Sequence, residues 1–308
     1  ASMRRATMVK TQTKSIADRA VLFSVTLRGP GVRRKVSSAK VEVDADKSLV
    51  HVSKDILDSK EVRAVFALGG KYKARLATRA LPSLIRDGIY LLPIGLVAEV
   101  DEWTAKFRAE RQKLVEIAVE AYPQQVKAAM KRLRGLADRS DYPPVEQFRS
   151  AFCVEAMYLM LETPSGLKDV RAGLFERERR KAEAMWRDTV EVIKAALREA
   201  FAELVGHAVD RLQDREGGKP KVFRDSMVEK LTDFLTTFEK RNLADDAALA
   251  DLVGKAKALT KGVSPGALRD NARLRDRVRK GFEEVKGVLD GMLVDQPARR
   301  MRLGEEEG

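Results

Sequence analysis

The chain has one cysteine, Cys153, and two histidines, His51 and His207, in 308 residues. A single thiol excludes an internal disulfide and fits a reducing, cytoplasmic setting. Zinc needs three or four thiolate or imidazole ligands at close spacing, and these residues lie too far apart to form such a cluster. His51 falls in a strand-like stretch and His207 beside an apolar helical stripe, so both read as structural. Long hydrophobic runs are also missing. The longest, residues 89–98, is about half the roughly 20 residues that a membrane-spanning helix needs, and Pro93 breaks it. With a mean hydropathy of −0.32, no membrane span is expected, and the polar, charged start lacks the apolar stretch of a secretory signal. A phosphate loop is incomplete: Gly69-Gly70-Lys71-Tyr72 has the Gly-Lys pair without the upstream glycine or the hydroxyl residue. The 46 acidic residues are scattered. No catalytic residue, metal site or cofactor is expected. A metal-dependent nuclease using scattered carboxylates is the remaining enzymatic alternative.

Acidic residues are scarcest where basic ones are densest. Residues 1–41 hold ten Lys or Arg and one acid, Asp18; residues 1–90 hold 19 basic and 8 acidic residues, a balance of +11. The whole chain carries +13, so the remainder is nearly neutral. A field concentrated in the first third attracts a polyanion, and nucleic acid, DNA ahead of RNA, is the leading expectation. Aromatic residues make up 6% of the chain, and within residues 1–41 only Phe23 is present. Phosphate contact is therefore a better model than base stacking, with binding that tolerates sequence and weakens with salt.

The hydrophobic pattern divides the chain. Residues 1–19 read as a flexible basic arm, and 20–95 as a small basic α/β segment. Val21, Phe23, Val25 and Leu27 alternate as a half-buried strand that stops at Gly29-Pro30-Gly31. Val41-Glu42-Val43 and Leu49-Val50-His51-Val52 suggest a hairpin, and Ser53 a cap for a short helix over 54–59. Residues 71–87 read as a basic amphipathic helix opened by Gly69-Gly70, kinked at Pro82 and ended by Gly88. From Leu96 the helical period dominates to Leu136. Residues 153–161 fit a buried helix and a strand equally. A second long helix runs from Leu174 to Leu212, about 60 Å at full length. Its narrow apolar stripe calls for a long neighbour, so 96–216 is expected to form an antiparallel, coiled-coil-like helical hairpin. A C-terminal helical bundle fills 217–296, with helices near 223–241, 245–261 and 266–293, the last capped by Ser264 with Pro265 at its first position. Residues 297–308 are a tail. The expected class is mainly α and elongated.

Candidate binding residues follow from the basic stretches. Arg28, Arg33, Arg34 and Lys35 flank the Gly29-Pro30-Gly31 turn. Lys71, Arg75 and Arg79 are four apart on one helical face, where like charges repel unless an anion relieves them. Gly70 and Lys71 would also grip a phosphate if they open a helix. Arg273, Arg277 and Lys280 form another row, but interleaved acids make it a solvated, ion-paired surface.

The order of features resembles an uncharacterised family of bacterial and phage or mobile-element proteins. The resemblance rests on the basic strand and turn at 22–35, Val52-Ser53-Lys54-Asp55-Ile56-Leu57-Asp58, Lys73-Ala74-Arg75-Leu76, and the segment 88–93 leading into a long Trp- and Phe-containing helix. Later pieces are Gly218-Lys219-Pro220-Lys221-Val222-Phe223-Arg224, Lys240-Arg241-Asn242-Leu243 and Leu268-Arg269-Asp270. Such proteins are often encoded beside an AAA+ ATPase and a von Willebrand factor A-type protein, which implies an adaptor role and supplies no catalytic residues. Two expectations follow: a non-catalytic, largely sequence-independent DNA-binding protein that forms a homo-oligomer, or an interaction scaffold for that ATPase and its partner.

Overall fold

The alternation along Ala20–Leu27 (β1) predicts a half-buried strand, but in the computed structural model Phe23 and Val25 on one face and Ala20 and Leu22 on the other are all buried, so the strand is covered on both sides. The structure describes residues 16–294 except 38–43, 47–48, 84, 87, 161 and 214–224. After one helical turn, Ile16–Arg19 (α1), β1 is followed by Arg33–Val36 (β2), Val52–Asp55 (β3), the helix Lys60–Ala77 (α2), Leu81–Pro82 (β4) and Ile89–Pro93 (β5). The long helix Ile94–Leu133 (α3), the short helix Val145–Ser150 (α4) and the strand Val154–Leu159 (β6) come next. Then Leu167–Val170 (α5), Ala172–Leu212 (α6), Asp225–Arg241 (α7), Ala247–Thr260 (α8), Pro265–Asp270 (α9) and Ala272–Val294 (α10) complete a mainly helical chain.

The four-stranded antiparallel sheet has the order β4-β5-β1-β6, and among the described residues β2 pairs only with β3. Register sets what each sheet face meets. Leu22 pairs with Leu91, and with Ala20, Leu81 and Ile89 these side chains join α6, α7, α8 and α10 in one core, around Phe201, Phe234 and Phe282. Phe23 and Val25 on the opposite face, with Leu92, join Tyr72 and Leu76 of α2 and Leu96, Val100 and Phe107 of α3. The sheet is therefore the middle layer between α2–α3 and the C-terminal helices. A third core, built on Val115, Val119 and Tyr122 of α3, holds the β2–β3 hairpin and α4.

Both long helices form, of 40 and 41 residues, but each takes shorter partners. Helix α3 packs on α2 and α4, and α6 packs on α10 and α7. The physical reason is that each apolar stripe is complementary to the sheet layer and its own flanking helices, so the two long helices lie largely on opposite sides of the sheet.

Several local expectations change. Ser53 caps no helix: residues 52–55 pair as β3 with β2, in the register Arg33 with Asp55 and Lys35 with Ser53. Residues 41–43 of the expected hairpin, 1–15 of the basic arm and the tail 297–308 lie outside the described residues. Helix α2 begins at Lys60, where Ser59 Oγ accepts from Val62 N at 3.1 Å, and it runs straight through Gly69-Gly70. It ends at Ala77 rather than continuing to Asp87. Pro82 has no N–H and suits the outermost strand of the sheet. Gly88, with φ +82°, turns the chain into β5. The ambiguous stretch from Cys153 is a strand, because β1 offers it an open edge. The helix expected over 266–293 is two helices, broken where the Asn271 side chain accepts from Leu274 N at 3.0 Å and caps α10.

Candidate nucleic-acid interface

The cations expected around the Gly29-Pro30-Gly31 turn are divided by strand geometry. Successive side chains of β2 leave opposite faces, so Arg33 and Lys35 point one way and Arg34 the other. Arg33 Nε donates to Asp55 Oδ1 at 2.9 Å, its cross-strand partner, and that hydrogen bond raises the Arg33 pKa. Lys35 is exposed. The Arg34 side chain folds back over Gly31, and its Nη1 donates to the carbonyls of Gly31 (3.2 Å) and Arg33 (3.1 Å). Arg28 is exposed, with Nη2 3.3 Å from Glu155 Oε2 on β6.

Helix α2 carries the other group. Gly70 and Lys71 lie in mid-helix, where backbone N–H groups already serve the helix, so they form no anion-binding N-terminus. The glycine pair has a packing role instead: a Cβ on Gly69 would stand 3.1 Å from Leu27 Cδ1, so this glycine lets α2 lie close on β1. Gly70 faces open space.

Arg79 leaves the expected row. It is 8% exposed, and its Nη1 and Nη2 donate to Asp233 Oδ2 and Oδ1 at 2.6 and 2.7 Å, while Nε donates to Glu99 Oε1 at 2.9 Å. Burial alone would lower its pKa, but the hydrogen bonds it donates to Asp233 and Glu99 outweigh that and the pKa rises. The side chain joins the end of α2 to α3 and α7 and presents no free charge to a phosphate. Spacing by four matches the helix period, but the chain leaves α2 before Arg79, so the last arginine turns inward.

Lys71 and Arg75 are exposed, and among the described residues neither has a carboxylate oxygen within 4 Å. The Arg75 guanidinium lies over the Trp103 ring, 3.7 Å from its centroid, with Arg79 at 4.9 Å. Lys73, which the four-residue spacing passes over, is exposed on the other flank of the same helix and is likewise in no ion pair among the described residues. The signal that would have found it is the run of 25 residues from Val62 to Arg86 without one acid. Exposed Ala67, Gly70 and Ala74 lie between the two flanks. Their small side chains allow a polyanion backbone close to the helix.

Folding thus sorts the basic residues. Asp55, Glu155, Asp233 and Glu99 come from other elements to meet Arg33, Arg28 and Arg79, and Lys60 and Arg63 at the start of α2 pair with Glu61 and Asp58. Lys71, Lys73 and Arg75 in its second half are in no ion pair among the described residues, Arg75 acting on Glu102 only at longer range. Of the basic row at the C-terminal end only Lys280 is ion-paired among the described residues, 3.0 Å from Asp276. Arg273 and Arg277 are exposed and in no ion pair there, because their turns of α10 bring no carboxylate within reach. Among the described residues, no group of three or more His, Cys, Asp or Glu is placed to hold a metal ion, and no helix is long and apolar enough to cross a membrane. Comparison with family models, with curated proteins and with solved structures finds no match to this chain.

Proposed function

We propose that this protein binds nucleic acid, DNA ahead of RNA, without catalysis and largely without sequence preference, and that it self-associates. The observation that carries the reading is the acid-free outward face of α2, where Lys71, Lys73 and Arg75 are exposed and in no ion pair among the described residues. Repulsion among these cations is relieved when phosphates replace counterions, and the released ions make binding salt-dependent. Lys35, Arg28 and Arg33 add to the field, the last two weakened by their carboxylate partners. Affinity for a random-sequence duplex measured across a salt series tests this. Each lost phosphate contact lowers the slope of log K against log salt by about 0.9, so the Lys71/Lys73/Arg75→Ala variant should lose roughly two to three units of slope. A flat response in the parent protein, or an unchanged slope in the variant, overturns the assignment.

Self-association is supported by β6. Among the described residues no strand pairs with its outer side, and Met157 and Met160 are 51% and 79% exposed. The opposite edge, β4, is blunted by its two-residue length and Pro82, whereas β6 has six residues and one charge, Glu155. An unguarded apolar edge suits pairing with a second copy. The same edge also favours the second reading, a scaffold that adds a strand from an AAA+ ATPase or its partner. Co-purification with such an ATPase, together with indifference to DNA, selects it.

A further inference from the structure

A cleft of about 440 Å³ opens between the Gly29-Pro30-Gly31 turn, residues 140–144 and α4. Its volume lies within the roughly 300–1,000 Å³ of small-molecule sites. The base is aromatic: Tyr122 and Phe148 stack with centroids 3.9 Å apart and planes at 11°. Pro143 adds apolar wall, and the polar lining includes Arg34, Tyr142 and Gln147.

The charges do not balance there. Asp141 also lines the cleft, but its Oδ2 is 2.6 Å from Lys54 Nζ, and both side chains are largely buried, which makes a neutral pair. Among the described residues Arg34 is bound only to backbone carbonyls. It is in no ion pair among the described residues, and apart from the paired Asp141 no other charged side chain lines the cleft there. The cleft is therefore positive. It also holds an unmet demand: Tyr142 is 5% exposed, and its hydroxyl has no hydrogen-bond partner among the described residues. A buried hydroxyl without a partner is costly, and phenylalanine would fill the same space without that cost.

We propose that this cleft binds a phosphate monoester carried on a flat, ring-sized body, the chemistry of a nucleoside 5′-monophosphate. Arg34 holds the phosphate. The ring lies against the apolar wall, and the Tyr142 hydroxyl and the Gln147 amide bond its polar edge. The site is separate from the α2 face and does not depend on it. The same chemistry has two sources, a free nucleotide and the 5′-phosphorylated end of a strand.

Calorimetry on the full chain with adenosine 5′-monophosphate, adenosine and inorganic phosphate tests the site. The monophosphate should bind saturably and about tenfold more tightly than either part alone. Arg34→Ala should weaken it about tenfold, as expected for loss of a charge-assisted contact. Tyr142→Phe should weaken it several-fold while leaving the melting temperature of the ligand-free protein equal or higher, a combination that a purely structural tyrosine does not give. A 5′-phosphorylated oligonucleotide and its 5′-hydroxyl twin, compared in the Lys71/Lys73/Arg75→Ala background, separate the sources. Preference for the phosphorylated strand marks a strand end, and equal binding of the two strands marks a free nucleotide. No heat from the monophosphate at millimolar concentration, or affinity indifferent to both Arg34→Ala and Tyr142→Phe, overturns the proposal.

Discussion

Arg79 and Lys71 carry the same charge, Lys71 on α2 and Arg79 just past its end, and the structure assigns them opposite consequences. Arg79→Met keeps most of the stem beside Trp103 and removes the guanidinium. Two hydrogen bonds to Asp233 and one to Glu99 are lost. A hydrogen bond to a charged group contributes about 1.5–3 kcal/mol, but the side chains of Asp233 and Glu99 are 38% and 36% exposed and regain water once the arginine is gone. That recovery brings the expected net loss to about 2–3 kcal/mol, below the range for breaking a fully buried pair. At roughly 2–4 °C per kcal/mol for a chain of this order of size, the melting temperature should fall by about 5–10 °C. Thermal unfolding and the DNA salt slope are then measured on the same samples. Arg79→Met should lower the first and leave the second unchanged, whereas Lys71→Ala should leave the melting temperature in place and reduce the slope by about 0.9. An Arg79→Met protein as stable as its parent but with a reduced slope would show that Arg79 reaches phosphate, and the inward-facing assignment would fail.

Asp246 caps α8 through Leu249 N and receives Arg198 Nε at 2.8 Å. Burial alone would raise its pKa, but the Arg198 hydrogen bond holds it below the ordinary value of 3.8. A depressed carboxylate contributes stability that is complete above its unfolded value and lost as pH falls through its folded one. Asp246→Asn should therefore cost about 2–3 kcal/mol near neutrality, with the gap between variant and parent closing below about pH 4 in acid-unfolding curves; a gap independent of pH refutes the ion pair. In α10, a Cβ on Gly281 would overlap the Leu259 side chain, while one on Gly287 meets nothing within 4 Å. Denaturant titration should show Gly287→Ala stabilising by about 0.5–1 kcal/mol through helix propensity, and Gly281→Ala neutral or destabilising by up to about 2 kcal/mol; equal gains at both positions would contradict that close approach. Met157→Lys places a charge on the open β6 edge and should shift sedimentation velocity toward the monomer without changing the melting temperature, and an unaltered distribution would remove this edge from self-association.

Patterns within one element were legible in the sequence. Period-two apolar spacing located β1, the three- and four-residue steps located both long helices, and Ser264-Pro265 located the start of α9. Patterns that depend on a partner were not. The run after Cys153 became a strand because β1 had a free edge, and residues 52–55 became one because β2 lay opposite. Gly69-Gly70 resembled a helix opening, yet Ser59 starts the helix earlier and Gly69 answers to Leu27 on the sheet. The partners of α3 and α6 were hidden for the same reason: an apolar stripe states that it will be covered and leaves open what covers it.

The candidate site divides along the same line. Charge is a property of composition, so the concentration of Lys and Arg in the first third was fixed before any folding. Which of those charges remain available was decided by side chains distant in sequence. Asp233 lies 154 residues from Arg79 and Glu155 lies 127 from Arg28, and both stand within an ion pair's reach once the chain is folded. Electrostatic pairing acts over a few ångströms of space whatever the separation along the chain. The sequence therefore determined the excess of positive charge, and the tertiary structure decided that it is left uncovered along α2.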